Sequence, residues 1–269
     1  MKPLILITND DGVESPGLRA AAEAVVDIAD VLVVAPDKQQ STMGRAFSKH
    51  DDVGVITRCT DYIVENNHVQ RFAVCGSPAC TVAHAVLELA ARRPALCVSG
   101  INFGENLGTT VFLSGTVGAA LEAASYGIPA IAVSAEVGRS VKGWGKDRHL
   151  DWMPAMSIIR RLAEWILQQG LPHPVDFLNV NLPYGATLDT EIRMTYQSKQ
   201  GYFLYTKPAQ RDLSMPFRLS ANVEIDMSAL ERDSDIYAVV VDRVVSITAM
   251  SCDLSVRDTM GGPIRIGLE

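Results

Sequence analysis

The sequence is poor in the features that mark secreted, membrane-spanning and nucleic-acid-binding proteins. Its five cysteines are odd in number and scattered along the chain, which does not suit a disulfide framework and indicates reduced thiols in a cytoplasmic protein. The longest apolar runs have the length of a β-strand and fall far short of the roughly 20 residues that a membrane span needs. Met1-Lys2-Pro3 leads directly into the first such run, so we expect no signal peptide. A net charge of −7 argues against binding to a nucleic-acid duplex.

Several common catalytic motifs are missing as well. The turn after the first apolar run has no GxGxxG fingerprint, and no Walker A motif occurs in the chain, which argues against a dinucleotide site and against a P-loop. Ser41 has no GxSxG context, so it does not fit the nucleophile of an α/β-hydrolase. The five histidines show no HExxH or similar spacing, which argues against a zinc site of that kind.

What the sequence does contain is a regular alternation of apolar runs and helical patterns. With 269 residues and 48% hydrophobic content, the chain is long enough for one large α/β domain, or for a domain with an appendage. This alternation predicts a mostly parallel sheet with helices on both faces. The predicted strands cover residues 5–8, 31–35, 95–99, 128–134 and 177–182, and the predicted helices cover 16–29, 78–91, 115–126 and 151–168.

Two other regions contribute strands outside this alternation. Val53–Arg58, Tyr62–Val64 and Val69–Val74 predict an antiparallel meander whose third run can also join the main sheet. Near the end of the chain, Ala238–Val241 and Val244–Thr248 predict a late buried strand that is interrupted once.

A protruding β-hairpin arm is predicted between these regions. Residues from about 190 to 227 are polar and aromatic without a helical period, so the arm has little core of its own. Such an arm needs a partner surface, and we therefore expect oligomerisation. On this basis the core is placed at about 1–188, the arm at about 189–228, and a C-terminal strand and tail at about 229–269.

Side chains with oxygen donors follow three of the predicted strands. Asp10 and Asp11 come after the first strand, and Ser41 lies in the loop after the second. Asn102 follows the strand that ends at Ser99. Because ligands of open parallel sheets lie outside the carboxyl ends of the strands, we expect these loops to open onto one edge. Two adjacent carboxylates beside a core are costly without a counter-charge, and hard oxygen donors predict one divalent cation, Mg²⁺ or Mn²⁺.

An anion site is predicted at the start of the third helix. Ser114, Gly115 and Thr116 open this helix, and free N–H groups at a helix start attract anions. A phosphate that bridges this helix start and the cation fits both, and Asn106 can hydrogen-bond to the same phosphate. A structural alternative stays open for each motif: Ser114 as an ordinary cap, Asn106 as a turn former, and Asn9-Asp10-Asp11-Gly12 as an ordinary turn.

Together these motifs resemble the SurE family, the stationary-phase survival proteins that act as metal-dependent nucleotide phosphatases. The match runs in order along nearly the whole chain and is most specific around the segments SGIN, GxNLG and SGTV. The matching segments are Ile5–Gly12 with Pro16-Gly17, Val33–Asp37 followed by Ser41, Gly76–Cys80, Val98–Asn102 with Gly104, Asn106–Gly108, Ser114–Val117, Gly127–Pro129, Asn179–Asn181 and Val245–Thr248 with Asp253-Leu254.

The resemblance implies a Rossmann-like α/β core with a protruding hairpin and exchanged C-terminal elements in a homodimer, in some members paired into a tetramer. It implies hydrolysis of nucleoside 5′- and 3′-monophosphates and, in some members, of polyphosphate. The positions that match the family's metal ligands are Asp10, Asp11, Ser41 and Asn102, and those on or beside its substrate-phosphate positions are Asn9, Asn106, Ser114 and Thr116.

From these residues we hypothesise phosphomonoester hydrolysis. A divalent ion would polarise the phosphoryl group and lower the pKa of a bound water, while Asn106 and the helix start stabilise the developing charge. Either Asp10 or Asp11 would accept the proton of the water. One alternative is an aspartyl-phosphate phosphatase with Asp10 as nucleophile, although such enzymes usually space their acids as DxD. Another alternative is a non-catalytic nucleotide or metal sensor that keeps the site without turnover.

Overall fold

The computed structural model describes residues 2–64, 67–138 and 150–256. Within these ranges the main feature is a nine-stranded sheet with helices packed against it. The strands are β1 (Leu4–Thr8), β2 (Asp30–Pro36), β3 (Ile56–Val64), β4 (Asn67–Val74), β5 (Leu96–Phe103), β6 (Ala130–Ala135), β7 (Phe177–Leu182), β8 (Ile192–Thr195), β9 (Phe203–Tyr205), β10 (Ala221–Val223) and β11 (Val245–Met250). The α-helices are α1 (Pro16–Glu23), α2 (Pro78–His84), α3 (Gly115–Ser125) and α4 (Met153–Gln169).

The strand order of the sheet is β3-β4-β2-β1-β5-β6-β7-β11-β8. Strands β4, β2, β1, β5, β6 and β7 run parallel to one another, whereas β3 and β11 run antiparallel to β4 and β7. This confirms the predicted α/β fold with a mostly parallel sheet. The chain leaves β1 toward β2 on one side and later returns to β5 on the other, so the order reverses next to β1. Crevices that bind ligands form at such a reversal.

Helices cover both faces of the sheet. Alternate residues of β1 face opposite cores: Ile5 and Ile7 pack with buried residues of α1 and α4, whereas Leu6 packs with buried residues of α2 and α3. Helix α3 buries mainly glycine, alanine and valine, and small side chains allow a helix backbone to lie close to the strands below it. This close packing brings the start of α3 near the ends of the central strands.

Three predicted boundaries were wrong in informative ways. Helix α1 ends at Glu23 instead of residue 29, and the Ser15 hydroxyl makes no capping hydrogen bond. Helix α2 ends at His84 and continues as a π-helical turn at Ala85–Leu89. Strand β5 was expected to end at Ser99 but extends to Phe103, because an irregularity in its pairing with β6 falls between Ser99 and Asn102 and the ladder then resumes.

The meander near the start of the chain forms with two strands instead of three. The first two predicted runs merge into β3, whose pairing with β4 shifts between Cys59 and Tyr62. The third run, β4, pairs with β3 on one side and with β2 on the other. Its predicted second role in the main sheet is therefore confirmed.

The segment predicted to form the arm divides between two sheets. Strand β8 joins the edge of the main sheet beside β11, whereas β9 and β10 form a separate antiparallel hairpin. Ala238–Val241, predicted as part of a late strand, lies in a π-helical turn at Tyr237–Val241. A short apolar run does not by itself distinguish a strand from a buried helical turn, and the Ser234 hydroxyl accepts a hydrogen bond from Tyr237 N at the start of this turn.

One expectation concerns residues outside the described ranges. The exchanged C-terminal tail includes residues 257–269, which are not described. Among the helices of the described residues, none combines the length and the apolar character required to cross a bilayer.

Candidate active site at the carboxyl ends of the central strands

The loop after β1 is shaped by its own asparagine. Asn9 is fully buried, its Oδ1 accepts a hydrogen bond from Gly12 N at 3.1 Å, and its Nδ2 donates to Gly12 O at 3.1 Å. Gly12 has a φ of 99°, which a residue with a Cβ rarely adopts. The amide of Asn9 thus closes the turn that presents Asp10 and Asp11, and a direct role for Asn9 in phosphate binding stays a prediction.

Asp10 connects three separate segments of the chain. Its Oδ1 accepts a 2.7 Å hydrogen bond from Thr116 Oγ1 at the start of α3, and its carbonyl accepts a 2.7 Å hydrogen bond from Gln40 N in the loop after β2. A Cβ added to Gly115 would lie 2.7 Å from the Cβ of Asp10. Only glycine fits there without a shift of backbone or side chain, and the helix start therefore lies directly against the carboxylate.

Asp11 connects the same loop to the end of β5 and, for a second time, to the loop after β2. Its Oδ1 accepts a hydrogen bond from Gln39 Nε2 at 3.2 Å, and its Oδ2 accepts one from Phe103 N at 3.1 Å. Gln39 follows β2 and Phe103 is the last residue of β5. The two adjacent aspartates are thus fixed at the point where the strand order of the sheet reverses.

The electrostatics of this pair favour a bound cation. Burial, with the nearby charge of Asp11 as a second cause, raises the pKa of Asp10 to about 7, against the opposing hydrogen bond from Thr116. Burial raises the pKa of Asp11 to about 6, opposed by the hydrogen bond from Phe103 N. Each carboxylate is therefore costly to ionise in this site, and a positive charge placed between them would remove that cost.

Asn102 and Ser41 supply the other predicted oxygen donors. Asn102 lies in β5, is 9% exposed, and its Nδ2 donates to Gly104 O at 2.6 Å, so its amide oxygen is the atom suited to a cation. Ser41 is exposed in the loop after β2 and directly follows Gln40, whose N–H binds Asp10. The described residues contain no cluster of three or more His, Cys, Asp or Glu side chains that could hold a metal ion. Two carboxylates with an amide and a hydroxyl oxygen fit a hard divalent cation.

The start of α3 has the features of both interpretations offered for it. Ser114 Oγ accepts a hydrogen bond from Val117 N at 3.1 Å, so Ser114 is the N-cap of this helix. The helix also starts beside the two carboxylates, through the contacts of Gly115 and Thr116 with Asp10. A helix start next to a candidate cation site suits a phosphate that contacts both.

Four neighbouring residues were not identified from the sequence as parts of the site. They are Gln39, which donates to Asp11, and Ser134, Asn179 and Asn181, which all hydrogen-bond to Asn106. Gln39 gives no signal in a polar loop. The two asparagines do, because asparagine is depleted in strands and β7 is otherwise apolar.

Comparisons with known proteins identify relatives of this chain. The family model described as "Survival protein SurE" matches residues 5–204. A "5'-nucleotidase SurE" of Methanothrix thermoacetophila is 36% identical over 262 residues, which are 96% of each chain. A protein of the same name from Thermococcus gammatolerans is 37% identical over 253 residues, covering 94% of this chain and 91% of the relative. The crystal structure of a SurE protein from Aquifex aeolicus superposes with a TM-score of 0.70 at 27% identity, covering 94% of this chain and 95% of that one.

The fold, the paired aspartates at the strand reversal and the helix start against them thus occur in a chain that is similar to these proteins over nearly its whole length. The protein belongs to the SurE family.

Proposed function

We propose that this protein is a metal-dependent nucleotidase that hydrolyses nucleoside 5′-monophosphates to nucleoside and inorganic phosphate. Relatives more than a third identical over nearly the whole chain have the name 5'-nucleotidase SurE. The observation that carries the proposal is the contact of the start of α3 with Asp10, because a helix start beside paired carboxylates suits a phosphate and a cation together. Nucleoside 3′-monophosphates and short polyphosphate present the same terminal phosphate and are proposed as further substrates.

The cation site consists of Asp10, Asp11, Ser41 and Asn102. A Mg²⁺ or Mn²⁺ ion held by these oxygens would supply Lewis-acid polarisation of the phosphoryl group and a lowered pKa for a bound water. The donor set has no thiolate or imidazole, which fits these ions better than structural zinc.

The residues of the chain provide binding and proton transfer. The N–H groups at the start of α3 and the Asn106 amide bind the phosphate oxygens and stabilise the charge that develops on them. Either Asp10 or Asp11 accepts the proton of the attacking water, and a bound cation would favour the ionised form that this role needs. The hydroxyl of Thr116 fixes the orientation of Asp10.

The test is release of inorganic phosphate from AMP in the presence of Mn²⁺ or Mg²⁺, with and without EDTA. Chelation and the substitution Asp11→Asn should each abolish the release, and Asp51→Asn, an exposed acid far along the next loop, serves as the charge-matched control. Release that persists after both treatments would contradict the scheme. Tight binding of AMP without any release would indicate a nucleotide sensor instead.

We also propose that the protein is a homodimer or tetramer that assembles through the arm and the C-terminal segment. The hairpin of β9 and β10 has three residues in each strand, and a two-stranded hairpin is marginal on its own in water. Large apolar side chains are exposed along it, among them Leu213, which is 83% exposed, and Phe217. A second copy of the chain would bury them.

A cytoplasmic location is part of the same proposal. All five cysteines lie in the described ranges and none forms a disulfide, which suits a reducing compartment. Neither a membrane nor a nucleic-acid duplex is proposed as a partner, since the net charge is −7.

A further inference from the structure

Strand β7 buries two asparagines in the middle of the sheet. Asn179 and Asn181 alternate with apolar residues and have no exposed surface. Asparagine is disfavoured in strands, and a buried amide is costly unless its hydrogen bonds are made. The hydrogen bonds of these two side chains therefore indicate what the strand gains from them.

Both side chains bind the backbone of the same residue, Asn106. Asn181 Oδ1 accepts from Asn106 N at 2.8 Å, and Asn181 Nδ2 donates to Asn106 O at 3.1 Å. Asn179 Nδ2 donates to the same carbonyl at 3.0 Å. Asn106 belongs to a loop with positive φ at Gly104 and Gly108. Because glycines on either side leave this loop conformationally free, the hydrogen bonds from Asn179 and Asn181 fix the position of Asn106.

The side chain of Asn106 is fixed as well. Its Nδ2 donates to Ser134 Oγ at 2.8 Å, and Ser134 is the pairing partner of Asn102 in the ladder of β5 and β6. The face of the sheet that carries alternate residues of β6 and β7 also packs against α3. Asn106 thus lies beside a proposed cation ligand, on the face to which the proposed anion site belongs.

We propose that Asn179 and Asn181 are positioning residues for phosphate hydrolysis, which hold Asn106 in the orientation needed to bind the phosphate. The inference rests on the proposed function. Preorganised donors lower the barrier because they need not reorient during the reaction, and a misplacement of about 1 Å can cost about 100-fold in rate. The two asparagines act through Asn106 and do not touch the substrate.

The test is a double-mutant cycle between Asn106 and Asn181. Asn106→Ala and Asn181→Leu should each lower kcat for AMP with Mn²⁺, by up to about 100-fold. The double variant should be no slower than the slower single variant by more than about 3-fold, because Asn181 acts on the reaction only through the side-chain amide of Asn106, which Asn106→Ala already removes. The inhibition constant for inorganic phosphate should rise in the same variants, and this constant reports phosphate binding separately from kcat.

Two further variants separate positioning from stability. Thr248 pairs with Asn179 across β11 and β7, and its hydroxyl makes a buried hydrogen bond with that of Thr195. The substitution Thr248→Val removes this bond, so it should lower the melting temperature and leave kcat unchanged. Asn179→Ala keeps both contacts of Asn181, so it should fold and show a smaller fall in kcat than Asn181→Leu.

Each remaining outcome is decisive. Full kcat in Asn181→Leu or in Asn106→Ala would overturn the inference, and so would effects on kcat that multiply in the double variant. Where Asn181→Leu does not fold, full kcat in Asn179→Ala overturns it. A wild-type protein without phosphate release would remove the proposed function and this inference together, whereas an active wild type with a fully active Asn181→Leu would remove the inference alone.

Discussion

The hydroxyl of Thr116 donates a 2.7 Å hydrogen bond to Oδ1 of Asp10. Both residues are buried, and the bond joins the start of α3 to the loop after β1. A hydrogen bond to an ionised carboxylate in a dry site favours the charged form. This one therefore orients Asp10 and opposes the rise in its pKa that burial causes.

Replacing Thr116 with valine should raise the pKa of Asp10 further, because the hydrogen bond from Thr116 opposes the effect of burial. In the metal-free protein, the profile of unfolding free energy against pH should therefore keep falling to a higher pH than in the wild type. Thr116→Ser keeps the hydroxyl and should retain the wild-type profile. An unchanged profile in Thr116→Val would show that Asp10 does not depend on this bond.

Gly115→Ala should impair both stability and activity. The added Cβ would lie 2.7 Å from Asp10 Cβ and 3.1 Å from Gln40 O, so the helix start has to move away from the carboxylate. Overpacking of this kind costs about 1–3 kcal/mol, measurable by urea unfolding, and phosphate release should fall in parallel. Ser125→Ala, at the exposed end of the same helix, is the control. Wild-type activity in Gly115→Ala would mean that the close contact is not needed.

The stability of the metal-free protein should depend on pH through the aspartate pair. Burial raises the pKa of Asp10 and Asp11 to about 7 and about 6, above the ordinary value of about 4 for an unfolded chain. Between pH values of about 4 and about 7, the folded state then binds more protons than the unfolded state. The free energy of unfolding therefore falls as the pH rises through this range. Urea titrations in EDTA at several pH values measure this slope, and Asp10→Asn should flatten it. A slope equal in both proteins would contradict the assignment.

The substitution Asp235→Ala should destabilise the protein, although Asp235 does not contact Asp10 or Asp11. The buried carboxylate of Asp235 accepts hydrogen bonds from the N–H groups of Gly108, Ser198 and Ile236. Burial of such donors without partners costs about 1–3 kcal/mol each, so we expect a loss of about 3 kcal/mol or more in guanidinium unfolding. The exposed neighbour Asp233 provides the control Asp233→Ala. A loss below about 1 kcal/mol would show that other groups replace this acceptor.

The wild-type protein should be at least a dimer at micromolar concentration in light scattering. Leu213→Asp and Phe217→Asp place a charge on the exposed apolar surface of the arm and should lower the measured mass, since burial of a charge at an interface is costly. Gln210→Asp adds the same charge at a polar position of the arm and should leave the mass unchanged. A monomeric wild type would contradict the proposed assembly.

Much of the fold followed from apolar patterning. The run Phe177–Leu182 is predicted as a strand with the bounds it has in the structure, and Ser114 caps its helix, which is one of the two interpretations that the sequence left open for it. The boundaries that failed depend on tertiary contacts. Strand β5 extends past Ser99 because Gly100, with a φ of 140°, lets the chain bulge and then resume its pairing with β6. Single-sequence patterns carry no signal for pairing of that kind.

The side chains of the candidate site were easier to predict from the sequence than the hydrogen bonds that hold them in place. Adjacent carboxylates after a core strand are conspicuous because they are costly, and they were singled out from the sequence alone. The donors from Gln39 and Phe103 to Asp11 were not, since any polar loop or backbone N–H can provide such a bond. The hydrogen bond between Asn106 N and Asn181 Oδ1 joins residues that are 75 positions apart in the sequence. Only the folded sheet brings these two residues together.

The bond between Thr116 and Asp10 spans 106 positions of the chain. Neither half of the chain therefore forms the candidate site alone. The two aspartates follow the first strand, and the helix that contacts them, α3, comes about 100 residues later. A nick or truncation that lets the first strand leave the sheet should therefore abolish phosphate release, even where every side chain of the candidate site is still present.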